Sequence, residues 1–300
     1  MRLPEGYRTE RPTVADVDEI LELVHASEIA SLGYPDYERG DVVAALTAPD
    51  IDPAADSWLV RDGDGRLVGW GYLSPSGWFC DAYARPGEGP SVQTVLIDLL
   101  LRRVTERAGS ALAQAGALPS EEQYIGVLAD AGFEFYHQQA RMTRVLTGGE
   151  RPPAALTGYT IRIPDAAELA DCGDILRAAF GDVVDYAGTP NLVLAECLVV
   201  EAEGGGLVGA LLSTEPSEHT GEGWVKWLGV RPEHRRHGLA EALLSTAIAT
   251  NVRLGRSSVG LGVNTASPTK AFALYERLGF TVTYQANIYR RPVAGSMIGA

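Results

Sequence analysis

The 300-residue sequence predicts a mixed α/β protein built as two tandem copies of one domain, each a twisted central sheet flanked by helices. Three observations predict it. Segments of matching design recur in the same order in both halves. Pairs of apolar runs around Gly-rich turns read as β-hairpins. Apolar strand, turn and apolar-periodic helix follow one another late in the chain. A chain that is 46% hydrophobic can bury one large core or two ordinary ones.

In chain order, Tyr7 to Val24 reads as a short strand, a turn and an amphipathic helix, and Tyr159 to Phe180 repeats that design. Trp58 to Ser74 (WLVRDGDGRLVGWGYLS) is a hairpin matched by Cys197 to Ser213 (CLVVEAEGGGLVGALLS). GFEFYHQ from Gly132 parallels GFTVTYQ from Gly279. Between the copies, Thr147 to Gly158 clusters Gly and Pro and loses periodicity, which places domains at residues 1–147 and 158–292. In the second copy, Trp224 to Val230 is a strand that breaks at Arg231-Pro232, and Leu239 to Val252 is a helix. Val259 to Asn264 is a further strand. SPTKAFALYERLGF, Ser267 to Phe280, is a helix with Ala271, Leu274, Tyr275 and Leu278 on one face and Gly279 as its stop. Thr281 to Tyr289 is the closing strand.

The chemistry concentrates between the Trp224 strand and the Leu239 helix. Arg235, Arg236 and His237 stand just before Gly238, so the unpaired amides of a helix start meet positive charge, an arrangement that holds anions. Arg235-x-x-Gly238-x-Ala240 after a strand, followed by LYERLGF and a strand, resembles the GNAT acetyltransferase superfamily. The resemblance implies that Arg235, Arg236, His237, Gly238, Leu239 and Ala240 wrap the pyrophosphate of acetyl-CoA, the co-substrate. It implies that backbone groups of Leu228, Gly229 and Val230 bond the pantetheine arm and thioester. Asn264 or Ser267 stands in for an Asn usual in the family, and Tyr275 would protonate the departing thiolate. The alternative readings are a solvated arginine pair and a core aromatic. Glu215 and Glu222, with His219, precede the Trp224 strand and are candidates for the general base, or simply parts of a solvated loop. Asp182, Asp185 and Tyr186 are candidate substrate-wall residues. His234 and His237 lack converging acidic or thiol partners, so no metal is expected.

Aligning the halves on Arg85-Pro86 and Arg231-Pro232 by simple counting sets Arg235 opposite Gly89, Arg236 opposite Pro90 and Gly238 opposite Val92. Glu88 then repels phosphate and Val92 blocks its approach, while Tyr275 falls opposite Leu128. The first copy is therefore expected to be degenerate and the second active.

The implied function is acetyl transfer from acetyl-CoA to a primary amine of a small molecule, and the tandem layout is similar to that of mycothiol synthase-like proteins. A non-catalytic acyl-CoA sensor and a protein N-terminal or lysine acetyltransferase are the alternatives. The net charge of −14 excludes a basic face for nucleic acid. No stretch is apolar enough to span a bilayer, and three widely spaced cysteines (Cys80, Cys172 and Cys197) read as buried thiols. A cytoplasmic monomer or homodimer is expected.

Overall fold

The computed structural model describes residues 2–48, 51–74, 78–107, 112–181, 186, 188–189, 191–267 and 269–293. Two compact units form, one of residues 1–139 with 285–300 and one of residues 140–284. The unit boundaries fall inside strands, whereas the Gly/Pro segment 147–158 lies within the second unit.

In the first unit the elements run β1 (Arg8–Glu10), α1 (Val17–Leu32), α2 (Arg39–Thr47), α3 (Pro53–Asp56), β2 (Ser57–Arg61), β3 (Leu67–Leu73), β4 (Cys80–Ala84), α4 (Pro90–Glu106), β5 (Leu112–Ala117), α5 (Glu122–Asp130) and the start of β6 (Glu134–Val145). Strands β1 to β4 form an antiparallel sheet in that order. The alternation of β4 sends Cys80 and Ala82 into a core with Val92, Leu96 and Ile97 of α4. Its other face belongs to a core of α1, α2, Trp70 and Tyr72.

The second unit continues with β7 (Tyr159–Arg162), α6 (Leu169–Phe180), β8 (Leu198–Ala202), β9 (Leu207–Thr214), β10 (Gly223–Val230), α7 (Leu239–Arg253), β11 (Ser258–Asn264), α8 (Ala271–Arg277) and β12 (Thr281–Pro292). Its strands run in the order β6-β11-β10-β9-β8-β7. Strands β10 and β11 pair in parallel, over Gly223–Val225 against Val259–Leu261. Helix α7 buries Leu239, Ala242, Leu243, Ala247 and Ile248 at helical spacing, each large apolar side chain contributing on the order of 1.5–3 kcal/mol. Helix α8 begins at Ala271, shorter than the Ser267 start expected from sequence, because Asn264, Ser267 and Lys270 form consecutive turns instead. Residues 285–292, the end of β12, pair antiparallel with β5 from Asn287↔Ala117 to Pro292↔Leu112 and so complete the first unit.

Among the described residues no helix is long and apolar enough to cross a membrane. The three cysteines are free and buried.

Candidate active site

A gap in the second sheet follows from the short β10–β11 pairing. Beyond Val225, β10 is paired only with β9, from Trp227↔Leu212 to Val230↔Gly209. The same ladder continues with the Arg231 amide donating to the Val208 carbonyl at 2.9 Å. Antiparallel alternation then assigns Arg231, Gly229 and Trp227 to the bonds with β9, so the amides and carbonyls of Leu228 and Val230 face the gap. Of the strand expected to bond a pantetheine arm, two residues thus present their backbone to it.

Lys226 is the extra residue of a bulge between Val225 and Trp227. It keeps Val225, Leu228 and Val230 in one core beneath α7, although residues three apart in a regular strand point to opposite faces. Trp227 and Gly229 turn to the α6 face. A Cβ on Gly229 would come within 2.9 Å of both Ala179 and Leu176, so this glycine lets α6 lie directly on the strand. Tyr186 packs edge-on to Trp227 at 4.8 Å and lies 5.6 Å from Phe180, while the Trp227 indole N–H donates to Thr189 at 2.9 Å. This aromatic wall, with the Lys226 ammonium 5.8 Å from the Trp227 ring, borders the gap on the face away from α7. Sequence reading placed Tyr186 in a substrate wall but missed the Trp227 side chain, whose direction depends on the bulge. Asp182 and Asp185 lie outside the described residues.

Past Val230 the chain makes a short 3-10 turn, then two left-handed residues, Arg236 (φ 69°) and Gly238 (φ 76°), before α7. Gly238 caps the helix without a side chain, leaving the first-turn amides of Leu239, Ala240 and Glu241 without an intrahelical partner. Backbone turned this way, with a helix start behind it, makes an anion-binding concavity. Arg235 is anchored: its Nε donates to the Val230 carbonyl (3.3 Å) and its Nη2 to the Ala179 carbonyl near the end of α6 (2.8 Å). Arg236 is exposed and, among the described residues, its guanidinium has no partner. His237 bonds the His234 carbonyl, and His234 shares a hydrogen bond with the Tyr159 hydroxyl at 3.2 Å. Among the described residues no group of three or more His, Cys, Asp or Glu side chains is placed to hold a metal ion.

Tyr275 of α8 is buried in the same core as Leu228 and Val230. Its hydroxyl has no partner among the described residues, yet it is not sealed from solvent. Burial pushes its pKa up to about 12, so it carries its proton throughout the neutral range. Asn264 spends its side chain on the Ala266 amide (2.9 Å), and the Ser267 hydroxyl bonds that of Thr269 (2.8 Å). Both shape the turn into α8.

The two acidic candidates lie elsewhere. Glu222 is buried and paired with Arg141 at 2.6 Å, its carboxyl filling the space over Gly260. It stands three residues before the gap opens, about 10 Å along the strand. Glu215 is exposed beyond the end of β9, its amide bonded to the Asn191 carbonyl. Neither is brought to Tyr275 or the Gly238 loop.

The first unit repeats this architecture with the groove closed. Arg85 donates from its amide to Val68 and from Nε to Leu67, as Arg231 does to Val208 and Leu207. The Phe133 amide bonds the Leu128 carbonyl as Phe280 bonds Tyr275, which fixes Leu128 opposite Tyr275. Helix α4 is capped by Gly89, however, so Gly238 corresponds to Gly89 and not to Val92. Counting residues failed because the loop is three residues shorter here, and the Arg235–His237 stretch has no counterpart. Val92 is a core side chain beneath Gly69, not a screen over backbone. Pro90 at the first helical position removes an amide. Among the described residues β4 and β5 are joined just ahead of β4, at a Phe79↔Gln114 bridge with the Gln114 amide on the Trp78 carbonyl, so a gap is present beyond it. Gln93 of α4 donates into it to the Ala82 carbonyl (3.1 Å), and the buried Tyr124 hydroxyl of α5 lies by the Ala82 amide. By the same register Ala82 is the counterpart of Leu228, Gln93 of Ala242 and Tyr124 of Ala271. The second unit carries alanine at both positions where the first carries a plug.

A family model described as Acetyltransferase (GNAT) domain matches residues 194–282. No curated protein matches the sequence. Among solved structures, a GCN5-related N-acetyltransferase from Sphaerobacter thermophilus is 22% identical over 97% of each chain, with a TM-score of 0.79. A tandem GNAT protein from the clavulanic acid biosynthesis pathway is 18% identical, covering 97% of this chain and 99% of its own, with a TM-score of 0.73. Saccharomyces cerevisiae N-myristoyltransferase, solved with bound myristoyl-CoA, is 12% identical over 97% of this chain and 80% of its own, at 0.65. The fold is two GNAT-like domains in tandem.

Proposed function

We propose that this chain, an acyltransferase carrying a GNAT acetyltransferase domain over residues 194–282, moves an acetyl group from acetyl-CoA to a primary amine of a small molecule in its second unit. The observation that supports this most is the pairing of an open gap, floored by Ala242 and Ala271, with uncapped amides at one end and an Arg236 that has no partner among the described residues. A pantetheine chain needs the gap and a pyrophosphate needs the amides, and the two are joined by β10 itself. Leu228 and Val230 would hold the arm through their backbone, Gly238 to Ala240 the phosphates, and Arg235 and Arg236 would supply charge.

Acetyl-CoA, when bound, supplies an acyl thioester. The gap-facing amides stabilise negative charge on a carbonyl oxygen placed against them. Tyr275, protonated at neutral pH, is a proton donor for a thiolate, and the Phe180–Tyr186–Trp227 wall gives an acceptor an apolar surface to lie on. A cysteinyl amine of the kind acetylated by mycothiol synthase-like proteins belongs to this acceptor class. The amine's own proton would leave to water, since Glu222 is held by Arg141. That pairing favours the second reading, an acyl-CoA sensor that does not turn over.

Thiol release from acetyl-CoA by the full chain, measured across a panel of small amines, separates the two. Saturable turnover with at least one amine is the expected result. Tight coenzyme A binding with no turnover on any amine would establish the sensor instead.

A further inference from the structure

Two of the chain's 25 lysine and arginine residues are lysines, Lys226 and Lys270, and both belong to the second unit. The difference is chemical. A guanidinium keeps its charge and is not a nucleophile, whereas a lysine amine can shed its proton and attack a carbonyl carbon. Lys226 and Lys270 are therefore the side chains of this protein able to accept an acyl group on an amine nitrogen.

Lys226 stands beside the gap. It follows Val225, where the pairing of β10 with β11 ends, and it precedes Leu228, whose amide faces the gap, by two positions. Two positions span about 7 Å of strand, a distance comparable with lysine's own flexible four-carbon stem. As the bulge residue it has no ladder partner in β9, the kind of irregularity that re-aims a side chain. Lys226 is exposed, and its ammonium lies 5.8 Å from the Trp227 ring. Trp227 turns to the α6 face, so this amine shares the side of the sheet on which the Phe180–Tyr186–Trp227 wall would receive an acceptor.

Lys270 is an internal contrast. It is equally exposed, with a left-handed backbone (φ 57°) at the start of α8. Helix α8 packs Ala271, Leu274 and Tyr275 into the core beneath α7, so Lys270 opens a helix on the opposite face of the sheet from the wall.

We propose that Lys226 is an acetylation site of this protein, modified by acetyl-CoA held in the second unit of the same chain when no other amine occupies the wall. The inference rests on the acetyl-CoA reading of that unit. The Lys226 ammonium first loses a proton to water. Its neutral amine then attacks the thioester carbonyl carbon, whose oxygen lies against the gap-facing Leu228 amide. A C–N bond forms and the C–S bond breaks, its electron pair passing to sulfur. The nitrogen gives a second proton to water, and the thiolate takes the Tyr275 proton, which water replaces. The products are an acetamide on Lys226, a free thiol and one proton released. Modification removes the positive charge beside Trp227 and leaves a neutral wall for later acceptors.

The experiment is incubation of the full chain with acetyl-CoA and no added amine, then denaturation and digestion with lysyl endopeptidase. The untreated chain is cut after Lys226 and Lys270 into three fragments, and acetylation of Lys226 blocks the first cut. That cut should be lost at least roughly tenfold faster than the second, at a rate that saturates with acetyl-CoA and is suppressed by excess coenzyme A. Loss of both cuts at equal rates marks reaction in free solution and overturns the proposal. An intact Lys226 in a chain that binds coenzyme A by calorimetry overturns it too, and leaves the acetyl-CoA reading standing. A chain that binds no coenzyme A removes both.

Discussion

Replacing Ala242 with Gln imports the first unit's plug into the second. At position 93 the side chain reaches the Ala82 carbonyl at 3.1 Å, and Ala242 occupies the same place relative to Leu228. A Gln there can donate to the Leu228 carbonyl, a gap-facing group with no partner among the described residues. One neutral hydrogen bond contributes about 0.5–1.5 kcal/mol, so thermal stability should hold or rise slightly. The same bond removes a backbone partner from the pantetheine arm, and the longer side chain adds four heavy atoms to its path. The lost bond alone weakens acetyl-CoA binding by up to about tenfold, and exclusion of the arm adds to that. Calorimetric titration with coenzyme A and with 3′-phosphoadenosine 5′-diphosphate gives the reading. Coenzyme A should bind markedly more weakly, while the nucleotide, which lacks the arm, binds as before. Unchanged coenzyme A affinity in a folded Ala242→Gln protein would show that the arm does not run past α7, and the assignment of the gap would fail.

Other substitutions separate anchoring from binding. Arg236→Ala should weaken coenzyme A by about 1.5–3 kcal/mol with no change in melting temperature, because its exposed guanidinium has no hydrogen-bond or ion-pair partner among the described residues; Arg235→Ala should lower both, since it also ties Val230 to the end of α6. Tyr275→Phe should leave coenzyme A affinity unaltered and reduce turnover, and in the natural protein ionisation of this phenol should cause no loss of rate until the pH nears 12; an equal rate in the variant would make it a packing residue. Glu222→Gln should cost a few kcal/mol of stability in chemical denaturation by leaving Arg141 with a neutral partner. A general base would instead show lost turnover in a protein of normal stability.

How much of this was readable from sequence depends on how local each feature is. The hairpin of β8 and β9, the strand–turn–helix through Gly238 and the Tyr275 helix end each announce themselves within a dozen residues. The repeat itself was visible because matched positions such as Arg85 and Arg231 make the same backbone contacts. The three-residue deletion before Gly89 was not, since a gap leaves no mark when residues are merely counted. Nor was the bulge at Lys226, which sets where Trp227 points through ladder registry alone. Gln93 and Tyr124 read as unremarkable helix residues until α4 and α5 are laid across the same gap. Glu222 looked available because its partner Arg141 is far away in the chain.

The pairing of β5 with residues 285–292 has a consequence for biosynthesis and for dissection. Ala117 waits for Asn287, so the first unit stays unfinished until almost all of the second has been translated, and long-separated contacts of this kind form slowly. A fragment cut at the Gly/Pro segment would leave β5 with a bare edge, prone to adhere to other chains. Circular permutation or fusion near residue 292 should accordingly disturb the half that was made first.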